Sequence, residues 1–212
     1  MLKNSKLFGF NLYKESDYIE IGGGEGDLSF DLKTKGLNLI LFIEPDFNKY
    51  EIARKKLKDI LCLNIDVKEL NADLIKPKSN IVTVIMQDVI EHISFDKQKI
   101  LFQIIFSKYE QIYFLGRTPN LKSPFGLRNS FGDNTHLHRF TDTSLRNFIE
   151  NLDFKNTTIT KEDYAITGVV SFLRYPIYIF IVLTVSLSFL FIFGTWEGLL
   201  TPNITFKSKK VK

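Results

Sequence analysis

The chain has 212 residues, of which 44% are hydrophobic, a formal net charge of +4 and a pI near 9.0. This length is enough for one domain with a single large core plus an appendage. The basicity is too mild to indicate nucleic acid, and no RNA- or DNA-binding signature accompanies it, so we predict no nucleic-acid partner.

The first informative stretch follows a short lead-in, residues 1–16, for which we expect an amphipathic turn or helix. Tyr18–Ile21 predicts a buried strand that leads into a glycine turn, Gly22-Gly23-Gly24-Glu25-Gly26. After an amphipathic helix, a second apolar strand over Asn38–Ile43 ends on the carboxylate of Glu44. A β-α-β unit with glycines at its first turn and an acid at its second strand end is typical of nucleotide-like cofactor sites.

The glycine spacing indicates which cofactor this unit binds. The glycines follow a G-x-G-x-G pattern, and the sixth position, where a dinucleotide fold places glycine, is Asp27. Glu20 lies two residues before the first glycine, and a carboxylate there suits a cationic group better than a pyrophosphate. We therefore favour the amino-acid end of S-adenosylmethionine, with glycines that let the backbone approach the ligand. A glycine turn without chemical meaning is the alternative, and the joint presence of Glu20 and Glu44 argues against it.

The middle of the chain alternates strands and helices, which predicts a doubly wound, mostly parallel sheet. Apolar runs predict strands over 61–65, 80–87 and 111–117, and helical spacing predicts helices over 45–59 and 95–108. The 80–87 run is continuous and β-branched, as expected of a central strand covered on both faces. Cys62 lies in the third strand, and this single cysteine is consistent with a reducing compartment.

On these residues the chain resembles the class I S-adenosylmethionine-dependent methyltransferases, from about Tyr18 to Phe154. The resemblance implies a seven-stranded Rossmann-like sheet and S-adenosyl-L-methionine as cofactor. It assigns cofactor binding to Glu20, Gly22, Gly23, Gly24, Gly26, Glu44, Asp66 and Gln87. Most members carry Asp where this chain has Glu20. Asp66 would meet the exocyclic amine of the adenine; alternatively it is a strand-end Asp that caps the next turn.

The segment 118–140 predicts a long functional loop, because loops of this length in compact domains usually carry function or are disordered. It contains His136 and His138, which we predict as catalytic bases, His136 first, for an acceptor hydroxyl. A hydrogen-bonding role is the alternative for each histidine. Residues 132–141 resemble methyltransferases of bacterial surface-polysaccharide and lipid biosynthesis, and a helix over 141–152 and an outer strand over 154–162 follow.

We predict no metal, but the sequence leaves a metal site open as an alternative. Asp88, Glu91 and His92 have the i, i+3, i+4 spacing of one helical turn. A similar acid-x-x-Glu-His occurs in quinone-biosynthesis O-methyltransferases, where it binds magnesium. The same pair occurs in members that use no metal, where it shapes the pocket.

The segment 169–198 predicts membrane association, because no charged residue occurs from Tyr175 to Trp196. The alternation over residues 203–207, within the basic tail 199–212, predicts a last antiparallel strand. If that strand returns to the sheet, the apolar segment is an insertion that cannot cross a bilayer once. We then expect a re-entrant or interface-lying helix pair, broken near Pro176 or Ser186; a spanning helix would remove the strand from the sheet.

Together these patterns predict a methyltransferase domain over 17–165 on the cytoplasmic side of the cell membrane. Its predicted reaction is O-methylation of a lipid-linked sugar or another amphiphilic acceptor. Two alternatives stay open: a quinone or lipid head-group methyltransferase, and a catalytically inactive membrane interaction module with the same fold.

Overall fold

The computed structural model describes residues 6–162 and 168–212, so the predicted domain boundary at residue 165 lies outside the described residues. The strands in these ranges are β1 (Lys6–Leu7), β2 (Phe10–Asn11), β3 (Asp17–Ile21), β4 (Asn38–Ile43), β5 (Leu61–Leu63), β6 (Ile81–Gln87), β7 (Gln111–Pro119), β8 (Lys155–Lys161) and β9 (Asn203–Val211). The α-helices are α1 (Asp27–Thr34), α2 (Phe47–Lys56), α3 (Phe95–Lys108), α4 (Leu127–Gly132), α5 (Asp142–Glu150) and α6 (Val169–Phe193). Short 3₁₀ turns cover Val67–Glu69, Ala72–Leu74 and Ile90–His92.

Seven strands form one sheet in the order β5-β4-β3-β6-β7-β9-β8. The pairs from β5 to β7 are parallel, and β9 runs antiparallel to both β7 and β8. The predicted doubly wound, seven-stranded fold is therefore confirmed. The chain order reverses direction between β3 and β6, and such a switch point opens a crevice at the carboxyl ends of the strands.

The core lies on both faces of the sheet, which explains the continuous apolar run of β6. Every residue of β6 from Val82 to Met86 is buried. One face packs on α3 and α5 and the other on α1 and α2. The sheet is thus held rigidly between two layers of helices, and its carboxyl edge is a fixed platform for a site.

Strand β9 returns to the sheet as its alternating pattern predicts, and it pairs with β7 along nine residues. Phe206 on β9 is fully buried, and its ring contacts that of Phe114 edge to face at a centroid distance of 4.8 Å. The apolar segment before β9 is therefore an insertion between β8 and β9.

The insertion is one helix, so the expected helix pair is wrong. Helix α6 runs without a break through Pro176 and Ser186. Pro176 is the eighth residue of α6 and has no amide to donate to the preceding turn, so the helix continues past it with one backbone hydrogen bond fewer. Within α6, Phe172–Phe193 is long and apolar enough to cross a membrane, a property that buried helices of soluble proteins share. In α6, by contrast, only 6% of the most apolar stretch of 18 residues is buried.

Two local predictions are also corrected. The described part of the lead-in forms a hairpin, β1 and β2, in which Phe8 and Gly9 adopt positive φ values of 54° and 80° at the turn.

The long loop is shorter than predicted, because β7 extends to Pro119 and α4 interrupts the rest. Asn120 fixes the start of this segment, since its side-chain amide donates to the carbonyls of Leu199 and Thr201.

Candidate cofactor-binding site

The glycine turn lies at the carboxyl end of β3, beside the switch point of the sheet. Its first residue donates a backbone hydrogen bond to Ile43 on β4 at 2.7 Å, so the turn is tied to the neighbouring strand. A side chain at Gly22 would place its Cβ 2.5 Å from Val89, and one at Gly23 would place it 2.2 Å from the ring of Phe42. Glycine is required at both positions because the backbone passes close to neighbouring side chains of the protein. The approach of a ligand to this backbone stays a prediction.

Glu20 lies directly below this turn, with 2% of its surface exposed. The hydroxyl of Ser29 donates to its carboxylate. Burial raises the pKa of Glu20 to about 7, and the nearby Glu44 and Asp27 carboxylates add to the rise, whereas hydrogen bonds from Ser29 oppose it. A cationic ligand group beside Glu20 would favour the ionised form, so the site is suited to a positive charge.

Glu44 connects the end of β4 to the glycine turn. One carboxylate oxygen accepts the backbone N–H of Gly24 at 2.7 Å, and the other accepts that of Asp46 at 2.9 Å. A carboxylate has about four acceptor sites, so lone pairs remain for a further donor such as a ribose hydroxyl.

Two clefts adjoin the turn and share Gly22. The larger, of about 290 Å³, reaches towards Glu44, Asp66 and Asp88. The smaller, of about 250 Å³, extends past Glu20 and Gln87. Seven of the eight predicted cofactor residues line one or both: Glu20, Gly22, Gly23, Gly24, Glu44, Asp66 and Gln87. The eighth, Gly26, is instead the N-cap of α1, with φ at 78°.

Asp66 caps the 3₁₀ turn that follows β5, as its alternative interpretation predicts. Its carboxylate accepts the backbone N–H of Lys68 at 3.1 Å and pairs with Lys97 at 2.9 Å. Asp66 also lines the larger cleft, so capping does not prevent a contact with a ligand there.

Asp88 forms a two-point ion pair with Arg117, which the sequence analysis missed. The guanidinium Nε donates to Asp88 Oδ1 at 3.1 Å, a second nitrogen contacts Oδ2, and a third donates to Glu162 at 2.6 Å. Arg117 on β7 is paired in register with Gln87 on β6, the residue before Asp88. An arginine on one strand and an acid at the end of its neighbour were therefore the sequence signal for this ion pair. Asp88 is thereby engaged by a cation already present in the protein.

His136 and His138 lie in the loop before α5, and neither lines the two clefts. His136 is 9% exposed, and its Nε2 lies 3.9 Å from Glu91 Oε1. His138 packs against the rings of Phe140 and Phe148, and burial lowers its pKa. Backbone N–H groups of Leu137 and His138 donate to the Glu91 carbonyl and attach this loop to the turn after β6.

Comparisons with known proteins identify the fold. No protein-family model matches the chain, and no curated protein matches it. An S-adenosylmethionine-dependent methyltransferase from Archaeoglobus fulgidus is similar with a TM-score of 0.62 at 18% identity, over 93% of this chain and 88% of that one. One from Clostridium acetobutylicum gives 0.57 at 13%, over 93% and 85%. YcgJ from Bacillus subtilis gives 0.56 at 12%, over 94% and 93%. The chain thus has the class I methyltransferase fold.

Proposed function

We propose that the protein is an S-adenosylmethionine-dependent methyltransferase. One observation carries this proposal: seven of the eight residues predicted from the sequence to bind the cofactor line two adjoining clefts at the switch point of the sheet. Ligands of open α/β folds bind at this position. The similar solved methyltransferases support the fold on which the proposal rests.

In the proposed complex Glu20 faces the positive amino-acid end of the cofactor and Glu44 accepts from its ribose. Transfer of a methyl group from a sulfonium is an in-line displacement that neutralises charge. The protein therefore acts mainly by aligning donor and acceptor and by excluding water. His136 and His138 stay predictions as bases for an acceptor hydroxyl, and their placement outside the two clefts supports neither.

Binding of S-adenosylhomocysteine tests the cofactor. A ligand present at 100 times its dissociation constant raises the free energy of unfolding by about 2.7 kcal/mol, which thermal unfolding detects. We expect this stabilisation for the wild type and a loss of it for Glu44→Ala, whereas Glu110→Gln, in the turn before β7, should behave as wild type. Stabilisation by NADH instead would contradict the proposed cofactor. Stabilisation by neither compound would contradict the proposal and favour the inactive module.

The acceptor that we propose is a hydroxyl of a lipid-linked sugar or another amphiphile, because α6 presents an apolar surface. Phe180 and Phe191 are 71% and 84% exposed. Such a continuous apolar surface indicates a membrane or partner surface rather than solvent. A methyltransferase held at a membrane has access to amphiphilic acceptors.

We further propose that α6 lies in the plane of the membrane surface. The hydroxyl of Ser186 donates to the carbonyl of Glu197 at 2.9 Å, so the chain folds back beside the helix. The carboxylate of Glu197 pairs with Lys122 at 2.8 Å on the catalytic domain. A spanning helix would bring this irregular, charged connection into hydrocarbon, where its backbone groups lack partners. The lysines of β9 favour the cytoplasmic side, as the positive-inside tendency expects.

Flotation with lipid vesicles tests the membrane contact. We expect the wild type to float and Phe180→Asp/Phe191→Asp to remain in the dense fraction, because each charge raises the cost of insertion. Phe47→Asp, a change at a residue 62% exposed on α2, should float as wild type does. Equal flotation of all three proteins would contradict membrane contact through α6.

Transfer of label from methyl-labelled cofactor tests the acceptor class. We expect label in the organic phase of a membrane extract. With unlabelled cofactor the product should gain about 14 Da, the mass of one CH₂ (the transferred CH₃ less the displaced proton). Hydrolysis of the labelled product then separates a sugar ether from a quinone or head-group product. Label confined to the aqueous phase would contradict an amphiphilic acceptor while leaving cofactor binding intact.

A further inference from the structure

Three possible metal ligands come together in a cluster formed by Glu91, His92 and His136. None of the three belongs to the predicted cofactor-binding residues. Glu91 and His92 belong to the 3₁₀ turn after β6, and His136 comes from the loop before α5. One ligand atom from each residue lies within 4.8 Å of the other two. The rings of His92 and His136 are 4.6 Å apart between centroids. The sequence spacing suggests Asp88 as the third ligand beside Glu91 and His92. In the structure the third possible ligand is His136, which is distant in sequence.

The Glu91 carboxylate accepts no hydrogen bond in this cluster, since His136 Nε2 lies 3.9 Å from Oε1, beyond hydrogen-bond distance. Its side chain is 1% exposed, and neither oxygen accepts a hydrogen bond from any described residue. A buried carboxylate without hydrogen bonds is costly, because it loses hydration and gains nothing in return. Arg117, the neighbouring strand-end cation, is directed to Asp88 and Glu162 instead.

The hydrogen bonds of the two histidines leave one nitrogen of each ring free. His136 Nδ1 donates to the carbonyl of Ser130 at 3.1 Å, since a carbonyl can only accept. Its Nε2 is therefore unprotonated in the neutral ring and faces Glu91.

His92 is held in the same way by Thr135. The Thr135 hydroxyl lies 2.6 Å from Asp133 Oδ1 and 3.0 Å from His92 Nδ1. Its proton goes to the carboxylate, so it accepts from Nδ1 and leaves His92 Nε2 unprotonated. Metal-bound histidines typically donate their second N–H to a carbonyl or carboxylate in this manner.

We propose that Glu91, His92 and His136 bind one divalent first-row transition-metal ion. Two imidazoles and one carboxylate suit zinc, iron, cobalt or nickel, whereas magnesium prefers oxygen ligands. The His136 Nε2–Glu91 Oε1 distance of 3.9 Å would shorten to about 3.4 Å around a tetrahedral ion with bonds of about 2.1 Å.

The position of the ion follows from His92, which also lines the larger cleft. If the proposed methyltransferase function holds, the ion borders the cleft assigned to the cofactor, and the acceptor is expected next to the ion. It would then orient an acceptor hydroxyl and lower its pKa as a Lewis acid. His136 would be a ligand rather than a base.

Cobalt(II) binding to the full chain tests the site without cofactor or acceptor, so its result is independent of the proposed function. We expect one equivalent of cobalt with visible d–d absorption, displaced by zinc but not by millimolar magnesium. Glu91→Gln, which keeps the shape of the side chain, and His136→Ala should each weaken binding at least tenfold. His138→Ala, in the same loop but outside the cluster, should bind as wild type.

Thr135→Val gives a second test that keeps all three ligands and alters only the orientation of His92. We expect a loss of affinity of about tenfold and unchanged far-ultraviolet circular dichroism. Unchanged cobalt affinity in Glu91→Gln and Thr135→Val, an equal loss in His138→Ala, or displacement by magnesium would each overturn the proposal.

Discussion

At the scale of single residues, Glu20 should make cofactor binding depend on pH. Its pKa of about 7 means that the free protein holds a proton there at lower pH. A cationic ligand favours the ionised form, so binding must release that proton and affinity must rise as pH rises towards 7. Between pH 5.5 and 7 we expect the dissociation constant of S-adenosylmethionine to fall about tenfold, while the α-amino group of the ligand stays charged.

Calorimetric titration of wild type, Glu20→Gln and Glu15→Gln measures this dependence. Glu20→Gln should bind about 10- to 100-fold more weakly at pH 7, as expected for a lost hydrogen bond to a charged group, and with no slope. Glu15 is exposed in the lead-in, so its variant should keep the wild-type slope. A wild-type affinity that does not change over this range would show that Glu20 does not face the cation.

Gly23→Ala should impair both folding and binding, because the new methyl group would lie 2.2 Å from the ring of Phe42 and 2.7 Å from the Glu20 carboxyl carbon. Overpacking of this kind costs about 1–3 kcal/mol of unfolding free energy. Gly132→Ala is the control, since no atom lies within 4 Å of its added Cβ. Urea unfolding measures both variants, and a neutral Gly23→Ala would contradict the close approach of the turn.

The strand ends and the turn that the sequence places correctly are those whose pattern is local, and the binding roles of their residues stay predictions. Glu20, the glycines and Glu44 belong to one β-α-β unit, whose geometry follows from strand ends and a short turn. The Asp88–Arg117 pair and the approach of His136 to Glu91 depend on which strands are neighbours and on how a loop folds back. Spacing along the chain cannot reveal contacts of that kind.

At the scale of elements, β9 lies between β7 and β8 and joins them into one sheet, and Phe206 should account for much of the stabilising effect of this strand. Its ring contacts Phe114 and lies against Gly116, where an added Cβ would be 2.4 Å from it. Phe206→Ala should lower the free energy of unfolding by about 3–5 kcal/mol. Phe30→Ala, at a residue 48% exposed on α1, should change it by less than about 0.5 kcal/mol.

Urea unfolding of the two variants tests the placement of β9. A loss below about 1 kcal/mol in Phe206→Ala would mean that the strand is not part of the core. The alternation of apolar and polar residues predicted β9, although Thr205 on its polar face is buried as fully as Ile204 and Phe206. The hairpin of the lead-in and α4 were missed because two-residue strands and a six-residue helix are too short to show a period.

At the scale of the whole molecule, α6 is inserted between two paired strands, and this insertion limits how the proposed membrane contact can be made. Strands β8 and β9 are adjacent in the sheet, so both ends of the insertion belong to one side. The sequence showed an apolar segment and a returning strand separately. That the connection folds back on Ser186 required the tertiary structure.

The depth of α6 in a bilayer separates an in-plane helix from a spanning one. Trp196 is the single tryptophan of the chain, so Trp196→Phe removes the native tryptophan fluorescence. New tryptophans are then introduced one at a time, as Phe172→Trp or Leu183→Trp. In an in-plane helix both positions lie at similar depth, about 5–10 Å into the headgroup boundary. In a spanning helix Leu183 would lie near the bilayer centre, about 15 Å below the surface of the hydrocarbon, and Phe172 near one face.

Quenching by lipids brominated at different acyl positions measures these depths on preformed vesicles. We expect Phe172→Trp and Leu183→Trp to be quenched best by the same shallow bromine position. Phe30→Trp on α1, also in the Trp196→Phe background, should not be quenched, because α1 packs on the sheet and is not part of the insertion. Selective quenching of Leu183→Trp by the deepest bromines would establish a spanning helix, and β9 could then not remain in the sheet on the other side.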